Sequence, residues 1–250
     1  TDVEVIEDYP TRYLVDAARH HRWVRGDWQL LPWIFNPASG ISGLSRWKMI
    51  DNLRRSLLPI LWVAASIAGW TVLPFTQAAQ WQALLILSLF LSATYHIVDS
   101  LVPRDTESRI KAHFASLGRD ISFSSALVAS KIILMAHQAS SYADAIVRTL
   151  YRLFVSRKQL LEWRTASSVA RSASGKGLIG HYFQMSGAVP VALIAAVIPL
   201  LGGTTGAWIA AFFALMWVGS PAFAWFVSQS AETEDRLVVH GDTTFAVIDG

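Results

Sequence analysis

Residues Arg19-His20-His21-Arg22-Trp23-Val24-Arg25-Gly26-Asp27-Trp28-Gln29 place three arginines, two tryptophans and an aspartate within eleven positions. A guanidinium grips a diphosphate through paired, charge-assisted hydrogen bonds. An indole face gives a sugar ring an apolar platform for stacking. The composition therefore suits a nucleotide-sugar and glycan site, with Arg19, Arg22, Trp23, Arg25, Asp27 and Trp28 as its candidate binding residues. It suits equally a membrane-proximal anchoring helix, in which Trp and Arg are also common.

The elements that must position this cluster are apolar. Of 250 residues, 53% are hydrophobic and 16% charged, against about 45–50% and about 25% in soluble domains. These values exclude a disordered chain and weigh against an ordinary soluble fold. The absence of cysteine removes a disulfide scaffold and a thiolate zinc site. The net charge of +3 matters less than its distribution. Eight basic residues lie in 1–55, twelve lie between Arg104 and Lys176, and Arg236 stands alone. Stretches 56–103 and 177–235 contain none.

Each basic-free stretch divides into two apolar segments, 56–73 and 81–97, then 186–201 and 207–227. PFTQAAQ (74–80) and GGTTG (202–206) interrupt them. Their lengths approach the roughly 20 residues that a helix needs to cross about 30 Å of hydrocarbon. Trp62, Trp70, Trp81, Trp208, Trp217 and Trp225 lie in or beside them, several where interfaces are expected. The expected fold is an all-α membrane protein with four transmembrane helices in two hairpins, plus amphipathic cytoplasmic interface helices. The uncharged hairpin tips put both termini and the middle segment in the cytoplasm by the positive-inside rule.

The middle segment is cationic. In 144–163, Ile146, Val147, Leu150, Leu153, Phe154, Leu160, Leu161 and Trp163 recur at helical spacing, with Arg148, Arg152, Arg157 and Lys158 between them. Such a helix is expected to lie in the interface, with Leu150, Phe154 and Leu161 toward apolar surroundings. Packing against a cytosolic domain is the other reading, and the two are compatible. Ile121 to Met135 is more apolar but includes Lys131.

Arg19-x-x-Arg22-Trp23 resembles the Q-x-x-R-W motif of processive, membrane-embedded family 2 glycosyltransferases, with Arg19 in place of Gln. In those enzymes the motif lies on an interface helix just ahead of membrane spans. The longer strings RHHRWVRGDWQLLPWIF and LYRLFVSRKQLLEW, in that order around a membrane hairpin, resemble the cyclic β-1,2-glucan synthases, very large bacterial inner-membrane enzymes. This likeness runs from about residue 2 to about 239.

The resemblance implies use of UDP-glucose to build and close a β-1,2-glucan. It implies an upstream Rossmann-like domain carrying the catalytic base and the ligands of a divalent metal (Mg or Mn), and a phosphorylase-like domain downstream. Arg22 would contact the diphosphate and Trp23 would stack on the acceptor sugar. Arg25, Asp27 and Trp28 match the longer string without an assigned role. The implied partners are UDP-glucose, the growing β-glucan, the lipid bilayer and the rest of a larger polypeptide, with no nucleic acid. The chain opens TDVEVIEDYP without a signal peptide, and as a fragment it is expected to be inactive alone, with no catalytic residue or metal site of its own.

The resulting organisation is 1–55 as the end of the glycosyltransferase domain, 56–101 as the first hairpin and 102–185 as interface helices. The second hairpin takes 186–231 and a tail takes 232–250, whose strand-like end TTFAVIDG reads as a segment distant in the parent chain. Thr233-Glu234-Asp235 spells the T-E-D triplet of cellulose-type synthases but follows the R-x-x-R-W element instead of preceding it, and reads as a solvated acidic cap. Ser174-Gly175-Lys176-Gly177 lacks the first glycine of a P-loop, since position 170 is Ala. A non-enzymatic transporter module would need ionisable groups within the spans, and these offer only His96. Another family 2 polysaccharide synthase is the remaining alternative.

Overall fold

A computed structural model describes residues 12–101, 110–158 and 177–229. Among the described residues all regular structure is helical. The helices are α1 (Tyr13–Gln29), α2 (Leu31–Ile34), α3 (Gly43–Val72), α4 (Phe75–Leu101), α5 (Ile110–Tyr151), α6 (Leu178–Gln184), α7 (Ala188–Leu201), α8 (Ala207–Val218) and α9 (Ser220–Gln229). The chain forms two compact units, 1–60 with 137–188 and 219–250, and 61–136 with 189–218.

In the first unit, α1 opens with Asp16 in its first turn, where a carboxylate complements the helix dipole. It closes at Leu30, whose N–H reaches the carbonyls of Asp27 and Trp28. Pro32 fits the start of α2, because a helix's first N–H groups have no internal partner. Asn36 then accepts from Ala38 N–H at 3.0 Å, and Gly40 takes φ +68, a left-handed turn that favours glycine. Ser42 Oγ accepts from Ser45 N–H at 3.2 Å ahead of α3.

Helix α3 has 30 residues, about 45 Å at 1.5 Å per residue, half as long again as the hydrocarbon thickness. Its first part carries Arg46, Lys48, Asp51, Arg54 and Arg55, and its second part is the expected first span. Pro74 shortens the expected 74–80 break. A proline suits a helix start, so α4 begins at Phe75 and Ala78 N–H already bonds Pro74 O at 2.9 Å.

The second unit packs the rest of α3 against α4. Trp62 Nε1 donates to Leu85 O at 3.1 Å, and Trp81 Nε1 donates to Ala65 O at 2.9 Å. Any Cβ on Gly69 would collide with the Trp81 ring, so this crossing depends on glycine. The loop tips meet: Thr205 Oγ1 accepts from Phe75 N–H at 2.9 Å, and Thr204 Oγ1 donates to Trp70 O at 2.7 Å. Gly203 at φ +67 makes the turn between α7 and α8 that GGTTG predicts.

Three tryptophans depart from the expected interfacial belt. Trp62, Trp70 and Trp217 are buried, and with Phe213 they form one aromatic cluster, Trp70 lying 5.1 Å from Phe213 and 6.0 Å from Trp217. Their large apolar bodies fill space between helices. Trp208 is exposed, as a belt residue would be.

The spans are not reproduced one for one. Gly43–Val72 and Gly118–Ser156 are long and apolar enough to cross a membrane, and the count rises to four if two bent helix pairs each form one span. One pair is α6 with α7, bent by 70°. The other is α8 with α9, bent by 41° where 207–227 is expected to be continuous. Pro221 explains that break, because it has no N–H for the carbonyl of Trp217. Helix α5 is a further difference. It joins the apolar 121–135 and the basic amphipathic stretch into one 42-residue helix, so part of the segment expected to lie outside the membrane has the composition of a span.

The π-helical turn Arg152–Ser156 ends at Arg157, which has φ +51 and donates its N–H to Arg152 O at 2.9 Å. On this stretch Leu150 packs against the first unit's core, whereas Val147, Tyr151, Phe154 and Val155 are exposed. Phe154 therefore does not share the core with Leu150. Leu160, Leu161, Trp163, Ser174 to Lys176, the 233–235 triplet and the tail lie outside the described residues.

Candidate functional site

Helix α1 is held by one face. Val24 is buried with Tyr142, Ala145 and Ile146 of α5, and Trp28, Leu57, Ile60 and Leu150 pack around them. Burying each large apolar side chain contributes roughly 1.5–3 kcal/mol, so this cluster fixes α1 against α3 and α5. Trp28 Nε1 donates to Ser56 Oγ at 2.8 Å, and Ser56 Oγ donates to Leu53 O at 2.7 Å. At the helix start, Tyr13 N–H donates to Ser228 Oγ at 3.3 Å, and Tyr13 Oη lies 2.8 Å from His137 Nδ1. His21 Nε2 lies 2.9 Å from Asp144 Oδ2, and Arg148 Nη2 donates to the other Asp144 oxygen at 2.7 Å.

An open cleft of about 610 Å³ borders α1 and reaches down to Val24 and Tyr142 of that core. Arg22, Trp23, Gly26 and Asp27 line it from α1, and Asn52, Arg55 and Ser56 line it from α3. Trp23 is 55% exposed, as are several other tryptophans of this chain, among them Trp33 and Trp47. Its indole is braced. The Arg19 guanidinium sits 4.9 Å from the ring centroid, and the His20 ring meets it edge-on at 5.2 Å. Arg19 Nη2 in turn donates to Asp16 Oδ1 at 2.8 Å, and His20 Nδ1 lies 3.3 Å from Asp16 Oδ2.

The electrostatics follow from these contacts. Burial pushes Asp16 up, but hydrogen bonds and charge from His20 and Arg19 outweigh it and hold the carboxyl below its ordinary value. The hydrogen bond to Asp16 raises His20, against an opposing effect of burial. Asp27 moves the other way. Burial lifts its carboxyl above the usual carboxylate value, and the amide of Asn52, donating from Nδ2 at 3.2 Å, offsets this only in part.

Of the six sequence-derived candidates, the cleft brings together Arg22, Trp23 and Asp27. Arg19 and Trp28 stand behind it as positioning residues, one bracing the indole and the other tying α1 to α3. Arg25 is 9% exposed and does not line the cleft. It lies eleven residues after buried Leu14, three helical turns along the same stripe, so spacing alone could have set it apart. Asn52 and Arg55 escaped the sequence reading because they lie about 30 residues downstream. Their only signal was a polar, basic start to the first span. Among the described residues no three His, Asp or Glu side chains gather as metal ligands.

Helices of membrane-crossing length and composition, with a cleft lined by Arg22, Arg55 and Trp23 at the head of the first of them, define an all-helical membrane protein. No protein-family profile matches the chain. Its particular likeness is to the cyclic β-(1,2)-glucan synthase NdvB of Rhizobium meliloti (strain 1021), with 51% identity over 240 residues, 96% of this chain. The resemblance carried by the two strings thus extends along nearly the whole sequence. The chain spans 8% of that relative's length.

Proposed function

We propose that this chain is the membrane and acceptor-binding portion of a bacterial cyclic β-1,2-glucan synthase, a glycosyltransferase that polymerises glucose from UDP-glucose at the inner membrane. The observation that carries the reading is the convergence of Arg22, an open Trp23 indole and Asp27 on one cleft, in a chain half identical to a segment of a cyclic glucan synthase. Arg22 binds the UDP diphosphate, and Trp23 stacks on the end of the growing glucan.

The transferase's catalytic base and divalent metal belong to other parts of the larger polypeptide, and the fragment alone is inactive. Both termini and the basic segments face the cytoplasm, the two loop tips face the periplasm, and the lipid bilayer surrounds the apolar helices. The meeting of the tips through Thr204 and Thr205 supports placing both on one side.

Arg22→Ala in the full-length enzyme tests the diphosphate role. Loss of one well-placed cationic donor is expected to cost about 3 kcal/mol, about a hundredfold in glucan synthesis from UDP-glucose. Arg22→Lys recovers little, because an ammonium cannot make the bidentate contact. Near-normal synthesis and UDP binding by Arg22→Ala would reduce the motif to a membrane anchor.

A further inference from the structure

The cleft has a second wall, contributed by α3, that the R-x-x-R-W element does not include. Trp23 and Asp27 are four residues apart on α1, so they stand one turn above the other with about 6 Å between their Cβ atoms. A pyranose lying on the indole would bring its hydroxyl-bearing edge over Asp27. From the other wall, exposed Asn52 donates Nδ2–H to Asp27 Oδ1 at 3.2 Å. That bond uses one of the carboxylate's oxygens and one of the amide's hydrogens. That leaves the pair with a second carboxylate oxygen, an amide carbonyl and an amide N–H as hydrogen-bonding groups, on two residues that line the cleft.

We propose that Asp27 and Asn52 form a clamp for adjacent sugar hydroxyls, which holds the acceptor glucosyl unit while Trp23 stacks on its face. This rests on the reading of the cleft as the acceptor site, and it adds to it the residue on α3 that fixes the sugar's orientation. Each hydroxyl both donates and accepts, so a carboxylate beside a carboxamide matches two neighbouring hydroxyls. The same pair is a poor phosphate site, because a carboxylate repels the anion. The clamp therefore separates the sugar end of the cleft, at Asp27, from the diphosphate end, at Arg22. Burial of Asp27 strengthens its hydrogen bonds, since water competes less for the partly enclosed oxygen. The other polar groups of this wall are engaged elsewhere: Ser56 with Trp28 and Leu53, and Arg55 with Asp51 Oδ2 at 2.6 Å.

The test uses the full-length protein in lipid nanodiscs, with linear β-1,2-linked gluco-oligosaccharides and UDP as separate probes. Asn52→Ala and Asp27→Asn are each expected to weaken oligosaccharide binding about tenfold, the loss of one or two hydrogen bonds, and Asn52→Ala to leave UDP affinity unchanged. Asn52 is exposed, so its replacement leaves packing intact. Undiminished oligosaccharide binding in both variants overturns the clamp, as does failure of the wild-type protein to bind the oligosaccharide. An equal loss of UDP and oligosaccharide affinity also overturns it, by assigning the pair a structural role. Failure of the diphosphate reading is distinguishable, because it appears in Arg22→Ala and in the UDP measurement.

Discussion

An indole that is more than half exposed, yet held on one side by a guanidinium and at its edge by an imidazole, is prepared to stack without first losing rotamer freedom. Asp16 supplies that order by gripping Arg19 and His20 together. The consequence is pH-dependent. His20 is raised in the folded state, so its contribution is complete below about pH 6.5, the ordinary imidazole value, and is lost as pH rises through the raised value. Asp16 is lowered, so its contribution is complete above about pH 3.9 and is lost as pH falls through the lowered value. Hydrogen-exchange protection of α1 in detergent should therefore decline on the alkaline side of pH 6.5, and His20→Gln should abolish that decline. A wild-type profile flat from pH 6 to 9 would contradict the coupling.

At this scale the sequence brings Trp23 and Asp27 together, because residues four apart on a helix are neighbours whatever the tertiary fold. It does not reveal Asn52, whose proximity to Asp27 depends on how α1 docks against α3.

Helix α4 carries the opposite kind of residue, a polar group with no partner. Gln82 is 4% exposed, and neither its Oε1 nor its Nε2 is hydrogen-bonded. A buried polar group left unsatisfied costs about 1–3 kcal/mol. Gln82→Met keeps the shape and removes the polar atoms, so it should stabilise the protein by about that amount, read as a higher midpoint of heat unfolding in detergent. A lower midpoint would show that Gln82 makes an interaction essential to the folded protein.

Helices were legible where apolar runs are long, and the GGTTG turn from its glycines, but the polar start of α3 and the short helix α6 were not. Helix limits were less so. Pro74 moved the start of α4 forward, and Pro221 divided an apolar stretch that is continuous in hydropathy. The aromatic cluster was illegible because tryptophan suits an interfacial belt and a helix–helix core equally, and composition does not choose between them.

In the molecule as a whole, a chain 51% identical to a segment of a cyclic β-(1,2)-glucan synthase carries a cleft lined from α1, the polar start of α3 and Tyr142 of α5. Charge distribution announced the membrane character, because long basic-free stretches have few other physical explanations. The cleft itself arises only when α1 and α3 pack together, and no single segment contains it. That the growing glucan lies on Trp23 is the central claim, and photocrosslinking at that position tests it most directly. Benzoylphenylalanine would replace Trp23 in the full-length enzyme, and membranes would be illuminated during synthesis from radiolabelled UDP-glucose. The expected result is label attached covalently to the protein as glucan, removable by a β-1,2-glucanase. Crosslinks to phospholipid with none to glucan, in membranes still making product, would contradict it.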